Sequence, residues 1–289
     1  MSSQKLKTCF ITGANSGIGK EAALQLAKKG FYVLMGVRNL QRGEAALEEI
    51  RERSKTDAID LIAIDLSSKA SILEAAHTIG QKIDSLDVLI HNAADFDITR
   101  KKRRFSVDGV ESIWATNHIG PIILTNELMS LIKNSKQGRI ITIASKGLVI
   151  YPKLNVDMAD PEYNSRKFSV SKAYYQSKLA QIMYTYWLAD YLSDTQITVN
   201  CLRVTNVKVD LDRFPDISKT MKFIYSLKSR NSISAEEMAK SYVYLACSND
   251  LKGTTGKYFN EKNETVNSSS YSLDKRYIEE VMELSRRYI

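Results

Sequence analysis

A chain of 289 residues with 44% hydrophobic residues can form one large hydrophobic core or two small ones. It has only four prolines, and no linker-like or repetitive stretch divides it, which favours a single domain over residues 1–289. Nowhere do about 18 apolar residues run together, and no N-terminal stretch resembles a signal peptide. We therefore expect no transmembrane anchor and a cytoplasmic location.

The positive charges exceed the negative ones, with 41 Lys and Arg against 33 Asp and Glu. This surplus is compatible with anionic ligands. The charges cluster only at 100–104, which we interpret as a solvated loop; no aromatic residues or binding motifs accompany them, so we expect no nucleic-acid partner. Cys9, Cys201 and Cys247 lie in apolar patterns, which predicts buried free thiols rather than disulfides or metal ligands.

Strand and helix patterns alternate along the chain. Short apolar runs predict strands at 6–11, 31–35, 59–64, 86–90, 139–144, 197–202 and 257–259. Longer periodic patterns predict helices at 20–29, 41–53, 70–83, 107–133, 171–192, 234–247 (with Ser234 and Glu237 as a capping box) and about 273–287. The alternation predicts an α/β fold, a single-domain doubly wound parallel sheet of about seven strands with helices on both faces. Ligands of such sheets bind beyond the carboxyl ends of the strands.

A glycine-rich loop over 10–19 joins the first strand to the first helix. Gly13 would take the turn off the strand, Gly17 would admit phosphates to the helix N-terminus, and Gly19 would let helix and strand pack closely. The other loop residues predicted to contact a pyrophosphate are Asn15, Ser16 and Ile18. Alone, the loop also fits an ordinary tight strand-to-helix turn.

The end of the second strand carries no carboxylate and reads Gly-Val-Arg-Asn over 36–39. Arg38 could clamp a 2′-phosphate bidentately, which predicts NADP(H), although it could also simply face solvent. Further residues predicted to line the same crevice are Asn39, Asp65, Leu66, Asn92 and Ala93. Asp65 could instead cap the next helix, and Asn92 could hold its strand end through backbone hydrogen bonds.

Tyr174 and Lys178 are one helical turn apart, so both side chains could point at one substrate oxygen. The same spacing elsewhere falls in a predicted loop, a strand and the C-terminal tail, starting at Tyr163, Tyr258 and Tyr271. A tyrosine pKa of about 10 must fall by roughly three units, worth about 4 kcal/mol, for base catalysis near neutrality. Lys178 and a cationic nicotinamide would supply this. Ser145 is a candidate second donor, or simply the residue that ends its strand.

These motifs, in this order, resemble the short-chain dehydrogenase/reductase family over nearly the whole chain, from residue 5 to about 259. The matching segments are Thr12-Gly13-x-x-x-Gly17-Ile18-Gly19, Asn92-Ala93-Ala94, Asn117, Ser145 and Tyr174-x-x-Ser177-Lys178. The resemblance implies a Rossmann fold in which Tyr174 is the general acid/base and Ser145 orients the substrate oxygen. It also implies that Lys178 binds the nicotinamide ribose and lowers the tyrosine pKa, and that Asn117 supports a proton relay through water.

Other segments look most like the retinol-dehydrogenase-like branch, namely Asn117-His118-Ile119-Gly120, Arg38-Asn39 and the long loop before Tyr174. We expect His118 to pack or hydrogen bond rather than to catalyse.

The chain departs from the family pattern in three places. His91-Asn92-Ala93-Ala94 replaces Asn-Asn-Ala-Gly, a mild change that keeps the central asparagine. Val204-Thr205 replaces Pro-Gly after the sixth strand, and Val209 replaces a threonine that helps to hold the cofactor. These later changes bear on cofactor affinity, while Val207 would still offer backbone contacts to the carboxamide.

The sequence thus predicts an NADP(H)-dependent oxidoreductase acting on an apolar carbonyl or alcohol. Segments near 146–169 and 210–230 are predicted to form a lid over the substrate. The alternatives are a cofactor-binding regulatory or scaffold protein of the same fold, and a reductase of carbon–carbon double bonds. The predicted helices 107–133 and 171–192 offer a surface for a homodimer or homotetramer.

Overall fold

A computed structural model describes residues 6–208 and 232–289 of the chain. The strands of this part are β1 (Thr8–Thr12), β2 (Tyr32–Val37), β3 (Ile59–Ala63), β4 (Val88–His91), β5 (Arg139–Ser145), β6 (Thr198–Val204) and β7 (Lys257–Phe259). As predicted, they form one parallel sheet of seven strands, and their order is β3-β2-β1-β4-β5-β6-β7. The order reverses between β1 and β4, which is where a doubly wound sheet opens its ligand crevice.

Helices cover both faces of the sheet, which confirms the predicted doubly wound architecture. They are α1 (Gly17–Lys28), α2 (Leu40–Ser54), α3 (Lys69–Lys82), α4 (Gly120–Lys133), α5 (Val170–Tyr191), α6 (Ala235–Cys247) and α7 (Lys275–Arg286). The first, second and sixth pack on one face, and the others on the opposite face. Each connection therefore buries one apolar helix stripe against the strands.

The strands are buried on both faces, as expected for a parallel sheet between helices. In β1, Phe10 packs toward α3 and α4, while Cys9 and Ile11 pack toward α1 and α6. Cys9 and Cys201 are buried free thiols as predicted, whereas Cys247 is only partly buried.

The predicted helix over 107–133 begins later than expected. Residues 105–111 form a turn, and the buried Glu111 carboxylate accepts from the backbone N–H groups of Ile113 and Trp114. One α-helical turn (Ser112–Trp114) is followed by a π-helical turn (Ala115–Ile119), which leads into α4. A carboxylate cap therefore sets the helix start, a signal that hydrophobic periodicity does not carry.

The C-terminal helix α7 packs against α5, preceded by the short turn Ser270–Leu273. His118 is fully buried and hydrogen bonds through Nε2 to Ser285 Oγ at 2.7 Å, which agrees with its predicted packing role. No helix of 6–208 or 232–289 combines the length and apolar character needed to cross a bilayer.

Candidate active site

The glycine loop makes a close turn between β1 and α1. Gly13 and Gly17 have positive φ values of 68° and 57°, which favour glycine. A Cβ on Gly19 would overlap Asn92 Nδ2 and lie 2.5 Å from the carbonyl oxygen of Gly13. The turn at Gly13 and the tight packing at Gly19 are therefore as predicted. The loop leaves its own backbone facing the crevice.

Asn92 joins three elements at the head of this loop. Its Nδ2 donates to the carbonyl oxygens of Thr12 at 2.9 Å and Gly13 at 3.1 Å, and its Oδ1 accepts from the Tyr242 hydroxyl at 3.0 Å. Of the two interpretations of this residue, the structure shows the one in which it holds the strand ends together. Asn92 thereby fixes the carbonyl groups around which the loop turns.

A cavity of about 740 Å³ opens beside the loop, within the usual size range of small-molecule sites. The sequence-predicted residues that line it are Gly13, Asn15, Ser16, Gly17, Ile18, Gly19, Arg38, Asn39, Asp65, Leu66, Asn92, Ala93 and Val207. Sequence reasoning missed further lining residues, among them Lys20, Arg42, Thr116 and Lys208. Of these, only Arg42 carried a usable signal, because it follows Arg38 by four residues at the start of a helix.

Two guanidinium groups face this cavity without ion-pair partners in the described part of the chain. Arg38 directly follows β2 and Arg42 lies in the first turn of α2, and both are exposed. Asn39 is the N-cap of that helix, accepting from the Arg42 N–H at 2.9 Å. Lys20, by contrast, pairs with Glu49 at 2.6 Å. Within residues 6–208 and 232–289, nothing therefore competes with an anion for these two arginines.

Asp65 and Leu66 form the wall that follows β3. The Asp65 carboxylate accepts hydrogen bonds from the backbone N–H of Ser67 at 2.9 Å and from the Ser67 hydroxyl at 2.7 Å. These bonds form a turn just before α3, and the N-cap of α3 is Ser68. Asp65 therefore stabilises the turn that precedes α3 but is not the N-cap of that helix. A Cβ on Gly120 would overlap the carbonyl oxygen of Leu66, so this glycine lets α4 approach the same wall closely.

Tyr174 lies one turn into α5, between two aromatic rings. Phe96 stacks on it with ring centroids 4.2 Å apart, and Tyr175 packs edge-on at 5.2 Å. Burial raises the pKa of Tyr174 well above its usual value, and the nearby Ser145 side chain at the end of β5 opposes this effect. Tyr174 and Ser145 are thus brought together as predicted, with the phenol protonated at neutral pH.

Lys178 is buried beneath Tyr174, with 1% of its surface exposed. Its Nζ lies 5.8 Å from the Tyr174 ring centroid and donates to Ile143 O at 2.7 Å and to Gln181 Oε1 at 3.0 Å. Burial lowers the pKa of Lys178 to about 8. The predicted lowering of the tyrosine pKa by this lysine is not found in the protein alone, because the effect of burial on the phenol dominates.

Asn117 lies at the centre of the π-helical turn and is fully buried. Its Oδ1 accepts from Asp95 N at 2.6 Å, and its Nδ2 donates to Asp95 O at 3.2 Å and to Ser177 Oγ at 3.0 Å. Such turns often occur at functional positions, where they redirect one side chain out of the regular helix. Here the side chain ties the segment after β4 to α5.

The basic cluster over 100–104 is partly structural. Arg100 forms a bidentate pair with Asp95 at 2.7 and 2.8 Å. Arg103 donates to the carbonyl oxygen of Tyr163 at 2.9 Å. The solvated-loop prediction therefore fails at these two arginines, because Arg100 pairs with a carboxylate five residues earlier and Arg103 with a carbonyl group 60 residues later. The exposed members are Lys101, Lys102 and Arg104.

The predicted lid segment 146–169 is tied to the body of the protein. Asp160 accepts from the backbone N–H groups of Asn164 at 2.6 Å and Ser165 at 3.0 Å. Arg166 donates to Gln176 of α5 at 2.9 Å. The loop after Ser145 is therefore held in place at its far end.

The second lid segment, 210–230, lies outside the described residues, as does Val209. The chain on either side of that region is joined, since Lys208 N donates to Ile233 O at 3.0 Å and Ile233 N donates to Asn206 O at 3.1 Å. The residues of the Pro-Gly position, Val204 and Thr205, directly precede this junction. Val207 forms a parallel bridge with Ile233, so its backbone is held at the cavity despite that substitution.

A doubly wound sheet with a glycine loop on a cavity at its switch point is the architecture in which many α/β proteins bind nucleotides, and Ser145, Tyr174 and Lys178 form one group in the same protein. The family model described as short chain dehydrogenase matches residues 7–156. The chain belongs to the short-chain dehydrogenase/reductase family of oxidoreductases, in its retinol-dehydrogenase-like branch.

Two curated relatives carry this assignment. Retinol dehydrogenase 13 of Homo sapiens is 34% identical over 259 residues, which span 88% of this chain and 76% of that protein. Retinol dehydrogenase 14 of Mus musculus is 35% identical, over 89% of this chain and 78% of that protein. A solved short chain dehydrogenase from Shigella flexneri 2a, complexed with NADP, shares the fold with a TM-score of 0.65 and 20% identity, covering 89% of this chain and 97% of that one.

Proposed function

We propose that the protein is an NADP(H)-dependent oxidoreductase of class EC 1.1.1.- that transfers hydride between the nicotinamide and the carbonyl or alcohol carbon of an apolar small molecule. The observation that carries this proposal is the grouping of Ser145, Tyr174 and Lys178 next to a segment that lines the glycine-loop cavity. Asp95 lines that cavity and is held by Asn117, and the next residue, Phe96, stacks on Tyr174. The cavity and the phenol thus share one short segment.

The residues present fit a dinucleotide phosphate. Positions Gly13 and Gly19 leave no room for a side chain, so backbone forms the cradle, as phosphate binding requires. Arg38 and Arg42, which have no ion-pair partner in the described part of the chain, supply two cations for a 2′-phosphate. The other residues proposed to hold the cofactor are Asn15, Ser16, Gly17, Ile18, Asn39, Asp65, Leu66, Asn92, Ala93, Lys178 and Val207. When bound, the cofactor supplies or accepts the hydride.

The proton chemistry falls to Tyr174 and Ser145. A raised phenol pKa keeps Tyr174 protonated at neutral pH, which is the form that donates a proton to a substrate oxygen during carbonyl reduction. Ser145 offers a second hydroxyl to the same oxygen. With a pKa of about 8, Lys178 is mostly charged at neutral pH, and its charge stabilises the phenolate that proton donation leaves behind.

The surroundings of Tyr174 favour an apolar substrate. Phe96 covers one side of the phenol ring. Val149 and Ile150 follow Ser145 closely and are 67% and 76% exposed, an unusual position for large apolar side chains. The relatives' names, retinol dehydrogenase, point to apolar alcohols as well.

A matched pair of tyrosine variants tests the assignment. We expect Tyr174→Phe to lower NADPH-dependent carbonyl reduction by at least about 100-fold while NADPH still binds, because only the proton donor is lost. Tyr191→Phe, at the exposed end of the same helix, serves as the control and keeps wild-type turnover. Undiminished turnover in Tyr174→Phe would exclude the proposed mechanism.

The Val204-Thr205 substitution favours a second candidate, a cofactor-binding regulatory or scaffold protein with little catalysis. NADPH binding without turnover across a broad panel of carbonyls would support it. A panel that includes conjugated enones separates the third candidate, because reduction of the carbon–carbon double bond leaves the carbonyl intact in the product. Oligomeric state and cytoplasmic location stay predictions.

A further inference from the structure

Lys178 carries its charge in an unusually closed environment. It is one of the largest fully buried side chains of the described chain. A buried ammonium is strongly disfavoured unless acceptors surround it. Among the described residues, it donates to the backbone carbonyl oxygen of Ile143 at 2.7 Å and to the side-chain oxygen of Gln181 at 3.0 Å. Gln181 is therefore the side chain that can be changed to alter the charge of Lys178.

The orientation of the Gln181 amide follows from chemistry. An ammonium only donates, so the amide must present its oxygen to Lys178. Gln181 is itself fully buried, and its Nε2 then has no hydrogen-bond partner among the described residues. Leaving an amide N–H unsatisfied in the interior is unfavourable. The amide oxygen of Gln181 thus stays on Lys178 although the amide nitrogen is left without a hydrogen bond.

We propose that Gln181 is a positioning residue for Lys178, whose amide oxygen holds the buried ammonium charged and in place one turn below Tyr174. This inference rests on the proposed function of Ser145, Tyr174 and Lys178. Gln181 does not line the cofactor cavity, and its side chain hydrogen bonds to Lys178, so it acts through the lysine.

The other titratable groups around Lys178 do not replace this contact. Tyr174 is on the same helix, with its ring centroid 5.8 Å from Nζ. Cys201 of β6 is buried, and its thiol pKa is raised to about 11, so it is neutral at neutral pH. His91 of β4 is buried with a pKa lowered to about 3, partly by the charge of Lys178, and is neutral as well. Uncharged neighbours therefore leave hydrogen bonding as the main support for the ammonium.

The test measures the ionisation of Lys178 directly, without any substrate. NMR of full-length protein labelled with 13Cε-lysine follows the pH titration of Lys178, whose signal is identified by its loss in Lys178→Arg. We expect Gln181→Met to lower the apparent pKa by about one unit, the value of one hydrogen bond to a charged group. Gln181→Glu should raise it, because a carboxylate stabilises the ammonium more strongly.

Gln176→Met is the matched control, since Gln176 is a buried glutamine on the same helix whose amide bonds Pro161 and Arg166 instead. It should leave the Lys178 titration unchanged. Where Gln181→Met does not fold, Gln181→Asn withdraws the oxygen and should also lower the apparent pKa. An unchanged value in the Met or Asn variant, or shifts of the same sign in Met and Glu, overturns the proposal.

Kinetics separate this proposal from the proposed function. The pH above which carbonyl reduction declines should move down in Gln181→Met and up in Gln181→Glu, a pair of opposite shifts that a purely structural role would not produce. If the NMR shifts occur but no carbonyl is reduced by any variant or by the wild type, Gln181 still positions Lys178 and the proposed enzymatic function fails.

Discussion

Replacing Gly19 with alanine should damage the glycine loop more than its size suggests. The new Cβ would meet the carbonyl oxygen of Gly13 at 2.5 Å and overlap Asn92 Nδ2. Overpacking of this kind costs about 1–3 kcal/mol. Displacing the Asn92 amide also weakens its hydrogen bonds to Thr12 and Gly13, each worth about 1 kcal/mol. We expect the free energy of unfolding to fall by about 2–4 kcal/mol.

Urea denaturation measures that loss, and quenching of protein fluorescence by NADPH measures the effect on binding. Because the same backbone forms the proposed phosphate cradle, we expect the dissociation constant for NADPH to rise at least about tenfold. Gly80→Ala is the matched control, because a Cβ on this exposed α3 residue meets nothing within 4 Å. It should stabilise the protein by about 0.5–1 kcal/mol. A Gly19→Ala protein with wild-type stability and affinity would refute the reasoning.

Two further predictions concern charge. Arg38→Ala and Arg42→Ala should each weaken NADPH binding at least about tenfold and change NADH binding little, since only NADPH carries the 2′-phosphate; equal losses for both cofactors in a titration would contradict this role. His118 is buried with a pKa lowered to about 3 from 6.5, so the unfolded chain binds the extra proton and stability falls as the pH drops below about 6.5. At pH 5 this costs about 2 kcal/mol per histidine. Urea titrations at pH 7 and 5 should show a smaller loss in His118→Gln than in the wild type or in the exposed control His77→Gln.

The sheet and the glycine loop could be predicted because their signals are local. Short apolar runs predicted all the strands of the described chain. Their parallel direction followed from the alternation of strands with helices. Gly13 and Gly19 were assigned correctly since a turn and a close contact are both backbone requirements. The spacing of Tyr174 and Lys178 likewise fixed one helix face.

The environment of these side chains could not be predicted, because it depends on contacts distant in sequence. Asn117 owes its orientation to a π-helical turn and to Asp95, 22 residues earlier. Arg103 belonged to a charge run that indicates solvent, yet its guanidinium donates to the carbonyl oxygen of Tyr163, 60 residues later. A run of like charges in the sequence shows only that these residues are basic. The acceptors that bind Arg100 and Arg103 can be identified only in the folded chain.

The pKa of Tyr174 also could not be predicted from the sequence, because it depends on burial. Spacing alone places a lysine one turn away and so predicts a lowered phenol pKa, but it gives no measure of burial. In the folded chain the ammonium of Lys178 is bound to Ile143 and Gln181, and desolvation raises the phenol pKa instead. The raised pKa of Tyr174 and the lowered pKa of Lys178 each favour the neutral form of the group. With a pKa of about 8, however, Lys178 is still mostly charged at neutral pH. The resulting pair, a protonated phenol above a charged amine, is the one that proton donation to a carbonyl oxygen requires.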